Sequence, residues 1–234
     1  MEPNAQCLPS VSVPASGSFR VRDPLSALSH FAGFLLALIG TFPLLTKAGW
    51  TGCTVGEMLS LCAFMAGMIA LYGASAAYHT FDLEERGRLR LKRLDHTMIY
   101  ALIVGSYLPV CVFSIWDVGG RELAVGVSLV AVLGICFSLF WINCPKWLSS
   151  AVYLLLGWMS VSALPQLVTY LPRGALVQLV TGGVLYTIGG VIYALKLPGL
   201  KERFPGFGEH ELFHLFVLGG TACHYAMVFH YLVV

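Results

Sequence analysis

Seven stretches of about 20 apolar residues follow one another along this chain, near residues 25–46, 56–79, 94–115, 122–142, 147–168, 174–195 and 211–233. Each is long enough to cross roughly 30 Å of hydrocarbon as an α-helix. A bilayer leaves few alternatives, because lipid cannot satisfy backbone N–H and C=O groups and a single segment satisfies its own only as a helix. The pattern therefore predicts an all-α, integral membrane bundle of seven transmembrane helices. Composition agrees: 57% of residues are hydrophobic and 11% are charged, whereas a soluble domain carries about a quarter charged residues. The breaks carry turn and charge signals, among them Gly49-Trp-Thr-Gly52, the charged run from Asp82 to Arg93, Asp117-Val-Gly-Gly120, Asn143-Cys-Pro145 and Pro172-Arg-Gly174. Connections this short make consecutive helices antiparallel neighbours in one domain spanning 25–234. Residues 1–24 lack a signal-peptide core and read as a short polar tail. Pro43, Pro109 and Pro165 fall near the ends of apolar runs, where each is expected to kink or stop a helix.

Basic residues set the orientation, since Lys and Arg in short loops favour the cytoplasm. Eleven of the 14 lie on the side of the N-terminus, and only Lys47, Arg121 and Arg173 lie on the other. The N-terminus is therefore expected inside the cell membrane and the C-terminus outside. The net charge of +2 gives no reason to expect a nucleic-acid partner; the partners expected are membrane lipids. The inferred topology is the reverse of a G-protein-coupled receptor, and no Lys in the middle of the seventh segment is available for a Schiff base.

Ionisable groups are expensive in a bilayer and mark functional sites when they occur. Three segments carry ligand-type side chains near one end: Ser75-Ala-Ala-Tyr-His79, Asp95-His96 and His210-Glu-Leu-Phe-His214. In the inferred topology all three ends meet the cytoplasmic leaflet. Ser75 and His79, like His210 and His214, are four residues apart, so each pair shares a helix face one turn apart. Two helices can thus offer three imidazoles to one point. Zinc commonly takes three protein ligands and a water in catalytic sites and lowers the pKa of that water. His79, His210 and His214 are the expected Zn²⁺ ligands, with Asp95 as general base and Ser75 placed to orient a carbonyl.

Each residue also has a plainer reading. A single interfacial His commonly snorkels to the headgroups, Asp95 could cap a helix or pair with Lys92 and Arg93, and Ser75 could serve helix packing. The coincidence of two i,i+4 pairs and one Asp at one depth favours the metal. His210 to His214 also fits H-E-x-x-H, the string of metalloproteases. Intramembrane versions draw a further Asp from a later helix, and nothing acidic follows Glu211; Glu211 is better placed to stabilise the N-terminal end of its helix. His30 starts the first segment in the same leaflet and could belong to a surrounding shell. His96, about 100° round the helix from Asp95, is expected to point elsewhere. His224 lies too far along its helix to share the metal but could line an internal polar path, and His230 belongs at the outer interface. Gly182-Gly183 and Gly189-Gly190 recur after seven residues on one face, which allows close helix packing or a border to an acyl cavity. The seven cysteines show no C-x-x-C pair and indicate neither a disulfide framework nor a thiolate site.

Ser75-Ala-Ala-Tyr-His79-Thr-Phe, Arg93-Leu-Asp95-His96-Thr-Met-Ile-Tyr100 continuing to Gly105-Ser-Tyr-Leu-Pro109, and His210-Glu-Leu-Phe-His214 with Cys223-His224-Tyr225 resemble the bacterial hemolysin III family. That family belongs with the progestin and adipoQ receptors, including the adiponectin receptors, and more distantly with alkaline ceramidases. The resemblance runs from Asp23-Pro24 to His230. It implies a seven-helix bundle with a cytoplasmic N-terminus and zinc held by His79, His210 and His214, with Ser75 and Asp95 beside it. For function it implies two readings. The first is a zinc-dependent membrane hydrolase acting on an acyl or amide lipid. The second is a non-enzymatic pore, or a sensor of membrane lipid state, in which zinc only fastens helices. An acyl-sized cavity at the metal favours the first; a closed metal shell or a continuous polar lumen reaching His224 favours the second.

Overall fold

The computed structural model describes residues 20–195, 200–204 and 206–234. Most of the expected polar tail, residues 1–19, lies outside them, as does Lys196. Among these described residues, seven helical spans are long and apolar enough to cross a membrane: Pro24–Trp50 (α1), Val55–Thr80 (α2), Glu85–Val118 (containing α3, Glu85–Val110), Gly120–Phe140 (α4), Lys146–Tyr170 (α5, Lys146–Gly157, then α6, Leu164–Tyr170), Arg173–Leu195 (α7) and Glu209–Leu232 (containing α9, Glu209–Met227). A single turn, Leu200–Arg203 (α8), lies between the last two spans. The most extensive packing is between sequence neighbours, α1 with α2, α2 with α3, and α7 with α9, and α1 meets α9 to bring the ends of the bundle together.

The bundle is apolar on the outside as well as within. Phe42, Leu36, Leu133 and Leu155 are exposed, while Ser26, His30, Ser75, His79, Asp95, His214, Thr221 and His224 are buried. This distribution suits a lipid solvent, in which polar groups gain by facing one another. Trp50, Trp141 and Trp147 stand exposed near span ends, where amphipathic rings sit well at headgroups.

Small residues set the closest approaches. A Cβ on Gly105 would stand 2.9 Å from the Ala63 carbonyl oxygen, and one on Gly67 would stand 2.9 Å from that of Ala101. The two glycines thus let α2 and α3 touch backbone to backbone. Gly182 of α7 packs in the same way on Gly220 and His224, while Gly183 and Gly190 border an internal cavity. The glycine face read from the sequence therefore serves both packing and the cavity.

Two spans depart from the sequence expectation. The third begins at Glu85, nine residues before the apolar run. Its first turns carry mostly exposed charge, and a helix can be polar all round where water surrounds it. Asp95 is therefore not a helix cap; it sits three turns in and is buried. The fifth span is broken, with a 3₁₀ stretch at Trp158–Ala163 between α5 and α6. Pro165 opens α6 rather than ending a helix. The break frees backbone groups that lipid cannot satisfy, and one side chain of α3 collects them. The Tyr107 hydroxyl shares its one proton between the carbonyls of Leu156 (3.0 Å) and Gly157, and accepts from the Ser160 N–H at 3.0 Å. Such a repair is what permits irregular backbone at membrane depth. At the other end of the molecule the seventh span finishes in a π turn, Val228–Leu232, where Lys47 Nζ donates to the Phe229 carbonyl at 2.7 Å.

Candidate metal centre

His79 ends α2, and His210 and His214 occupy the first two turns of α9. Each offers one ring nitrogen, and these three atoms all lie within 4.8 Å of one another. The closest pair is His79 Nε2 and His210 Nε2 at 3.0 Å. A tetrahedral zinc with Zn–N bonds of about 2.0–2.1 Å has nitrogen–nitrogen edges of about 3.3 Å, so small adjustments of the rings would meet that geometry. The helices deliver the imidazoles as the i,i+4 spacing requires, and the rings contact one another directly, with centroids 4.4 to 5.1 Å apart.

Hydrogen bonds around the trio fix which nitrogens are bare. Asp23 Oδ2 lies 3.0 Å from His79 Nδ1. An ionised carboxylate only accepts, so Nδ1 carries the proton and Nε2 presents a lone pair. Ser29 Oγ donates to the Ser26 carbonyl at 3.0 Å, which commits its only proton. His214 Nδ1 lies 3.4 Å from Ser29 Oγ and beside the Ser26 carbonyl, an acceptor that favours the proton on Nδ1 and leaves Nε2 bare as well. Two of the three imidazoles are thus held in the tautomer that ligates through Nε2, the arrangement that outer carboxylates and hydroxyls impose on metal-binding histidines.

Asp23 belongs to a strap that sequence reading did not find. Just before α1, the Asp23 N–H donates to the His79 carbonyl at 2.9 Å and the Arg22 N–H to that of Thr80 at 3.3 Å. Arg22 Nε holds Asp23 Oδ2 at 2.9 Å and its guanidinium lies 4.1 Å from the centre of the Tyr78 ring. Partial burial works against ionisation of Asp23, but the hydrogen bonds from His79 and Arg22 prevail and hold its carboxyl below the usual range. The signal was present in the sequence as Asp23, Ser26, Ser29 and His30 on successive turns, but the partner elements could not be read from it. His30, expected in a surrounding shell, stacks on His214 with ring centroids 3.6 Å apart, and neither of its nitrogens has a hydrogen-bond partner among the described residues.

Glu211 is tied into the start of α9. It accepts from Ser26 Oγ at 2.7 Å and from the Gly208 N–H at 2.8 Å, closing the N-terminus of α9. Both carboxylate oxygens are engaged in this cap, the role its position at the start of the helix suggests.

His210 and His214 border a cavity of about 210 Å³. At this end it is lined by His30, Ser75, Asp95, His96, His210 and His214, so the structure brings Ser75 and Asp95 to the same chamber as two of the three histidines. Ser75 Oγ is buried next to the Asp95 carboxyl, with no well-aligned hydrogen-bond partner among the described residues. His96 was expected to point elsewhere; it lines the chamber too, with Nδ1 held by the Lys92 carbonyl at 2.9 Å and 3.8 Å from Asp95 Oδ2. Beyond this polar end the walls are mainly Leu, Ile, Val and aromatic residues from α3, the broken fifth span and α7. The far end reaches Tyr186 and His224. His230 is exposed near the C-terminus.

A family model for haemolysin-III related proteins matches residues 20–225. The chain is 31% identical over 216 residues to a hemolysin-3 homolog of Bacillus subtilis, covering 92% of this chain and 97% of that one. It is 28% identical over 206 residues to hemolysin-3 of Bacillus cereus, covering 88% and 90%. Over 238 residues it is 27% identical to the adiponectin receptor protein of Drosophila melanogaster, covering 93% of this chain and 52% of the receptor. With its seven membrane-spanning helices and clustered histidines, the chain belongs to the haemolysin-III related family of multi-pass membrane proteins.

Proposed function

We propose that this protein is a zinc-dependent hydrolase of lipid amides or acyl lipids, working at the cytoplasmic leaflet with its N-terminus inside. The observation that carries the reading is the junction of two environments: three converging imidazoles, two of which line a mainly apolar cavity together with the buried neighbours Ser75 and Asp95. A purely structural metal has no need of such a chamber, and a conducting pore calls for a polar lumen rather than aliphatic walls. The set of three neutral imidazoles with a carboxylate nearby suits zinc better than magnesium or calcium.

When bound, zinc would supply Lewis acidity and a nucleophilic water at neutral pH. His79, His210 and His214 would hold the ion, and Asp23 and Ser29 hold two of those rings. Asp95 takes a proton from the attacking water as the new carbon–oxygen bond forms. The Ser75 hydroxyl donates to the oxygen of the carbonyl as charge develops there. As the carbon–nitrogen or carbon–oxygen bond breaks, Asp95 returns the proton to the leaving amine or alcohol, and the acyl chain remains along the aliphatic walls.

Elemental mass spectrometry of detergent-purified protein beside His79→Ala and His210→Ala tests the first step. About one zinc per chain, lost in both variants, supports the centre; wild type prepared without chelator and free of stoichiometric metal refutes it. Hydrolysis of a lipid amide that vanishes in Asp95→Asn while zinc is retained would then support the chemistry. Bound zinc with no dependence of any lipid turnover on Asp95 would favour the non-enzymatic reading.

A further inference from the structure

The far end of the cavity contains a second polar locus that the proposed hydrolysis does not use. His224 of α9 is buried and lines the cavity. Its Nε2 lies 3.4 Å from the Leu179 carbonyl oxygen. A carbonyl only accepts, so in the neutral ring Nε2 carries the proton and Nδ1 is a bare acceptor. Nδ1 is buried and has no partner. The opposite ring edge, Cδ2 with Nε2, lies against Gly182, where a Cβ would stand 2.5 Å from it. The ring is therefore wedged by close packing with its lone pair on the other edge.

Tyr186 stands beside His224, with ring centroids 5.3 Å apart. Its hydroxyl is 2.9 Å from Thr221 Oγ1. Thr221 has one proton, which it donates to the Val217 carbonyl at 2.9 Å, and it already accepts from the Tyr72 hydroxyl at 2.7 Å. Tyr186 must therefore donate to Thr221 as well, which leaves its own oxygen as an acceptor. The proton directions converge on Thr221, so this chain of hydroxyls is a clasp joining α2, α7 and α9 and offers no open proton wire. Both Tyr186 and His224 line the cavity, and His224 Nδ1 has no donor among the described residues; an unmatched buried acceptor is unfavourable.

Resting on the lipid-hydrolase reading, we infer that His224 and Tyr186 form a subsite for a hydroxyl group carried on the acyl chain of the bound lipid. His224 follows His214 by ten residues on one helix, or about 15 Å along its axis. An extended chain held at the metal would reach it with about its twelfth carbon. The class of ligand is thus an acyl lipid with a mid-chain hydroxyl, whose proton His224 Nδ1 or Tyr186 Oη accepts.

The test uses the full chain in detergent, loaded with zinc, and compares two probes: octadecanoic acid and its derivative hydroxylated at carbon twelve. Wild type is expected to bind the hydroxylated acid about three- to tenfold more tightly, the scale of one net hydrogen bond. His224→Phe should remove the preference, and His224→Gln, which keeps an acceptor, should retain part of it. Equal affinity of wild type for both probes, as would follow if ordered water already filled Nδ1, overturns the subsite. So does a preference that survives in His224→Phe or that is the same for a hydroxyl near the carboxyl end. The metal dependence of octadecanoic acid binding, read in His79→Ala, tests the anchoring of the carboxyl end separately. Octadecanoic acid that binds wild type and His79→Ala equally refutes the anchor, and with it the position of the hydroxyl along the chain, whereas metal-dependent binding without a preference for the hydroxyl refutes the subsite alone.

Discussion

Replacing Asp23 by Ala should weaken metal binding without unfolding the bundle. Asp23 Oδ2 is the hydrogen-bond partner of His79 Nδ1, at 3.0 Å, and His79 is buried. In Asp23→Ala that N–H is left without its acceptor, and the ring is free to turn or to move its proton to Nε2, which would block ligation. Loss of such an outer partner typically lowers metal affinity about 10- to 100-fold, equivalent to about 1.4 to 2.8 kcal/mol. The backbone bond from Asp23 N–H to the His79 carbonyl survives the substitution, so the strap itself should stay in place. Asp23→Asn retains a carbonyl that can accept the same hydrogen bond and should fall between wild type and Ala. The assay is competition for zinc with a chromophoric chelator in detergent, alongside thermal unfolding of the chelator-treated proteins. Zinc affinity of Asp23→Ala within twofold of wild type would refute the assignment of Asp23 as the group that orients His79. So would a weakening matched by an equal loss of stability in the metal-free state.

Three further outcomes are expected. Tyr107→Phe removes the hydroxyl that serves the Leu156 and Gly157 carbonyls and the Ser160 N–H; it should destabilise by about 1–3 kcal/mol and speed hydrogen exchange around residues 156–163, and unchanged exchange there would count against the repair. Gly105→Ala places a methyl 2.9 Å from the Ala63 carbonyl oxygen, and overpacking of the α2–α3 contact should lower stability by about 1–3 kcal/mol, measured as a lower melting temperature. For topology, a cysteine-free background carrying Asp117→Cys should react with a membrane-impermeant maleimide in intact cells, whereas Arg88→Cys should react only after the membrane is opened; the reverse pattern would invert the orientation.

Seven runs of about 20 apolar residues were sufficient to determine the architecture, because the bilayer imposes a length and forbids unsatisfied backbone. The three histidines were legible for a similarly local reason. Helical periodicity fixes that His210 and His214 share a face, and the chain's topology places the end of α2 in the same leaflet. What the sequence could not supply was whatever depends on contacts between distant residues. Ser26 meets Glu211 across 185 positions and Asp23 meets His79 across 56, and no periodicity within either helix encodes those meetings. The start of α3 at Glu85 was missed because a helix surrounded by water has no apolar signature. The break in the fifth span was missed because the apolar run continues through it, and the Tyr107 hydroxyl that makes it tolerable comes from another helix. The cavity, too, exists only because seven helices pack without filling the space between Asp95 and His224. Hydropathy and helical spacing act within a segment and can be read from it, whereas tautomers, straps and chambers are set by which side chains the packed bundle brings together.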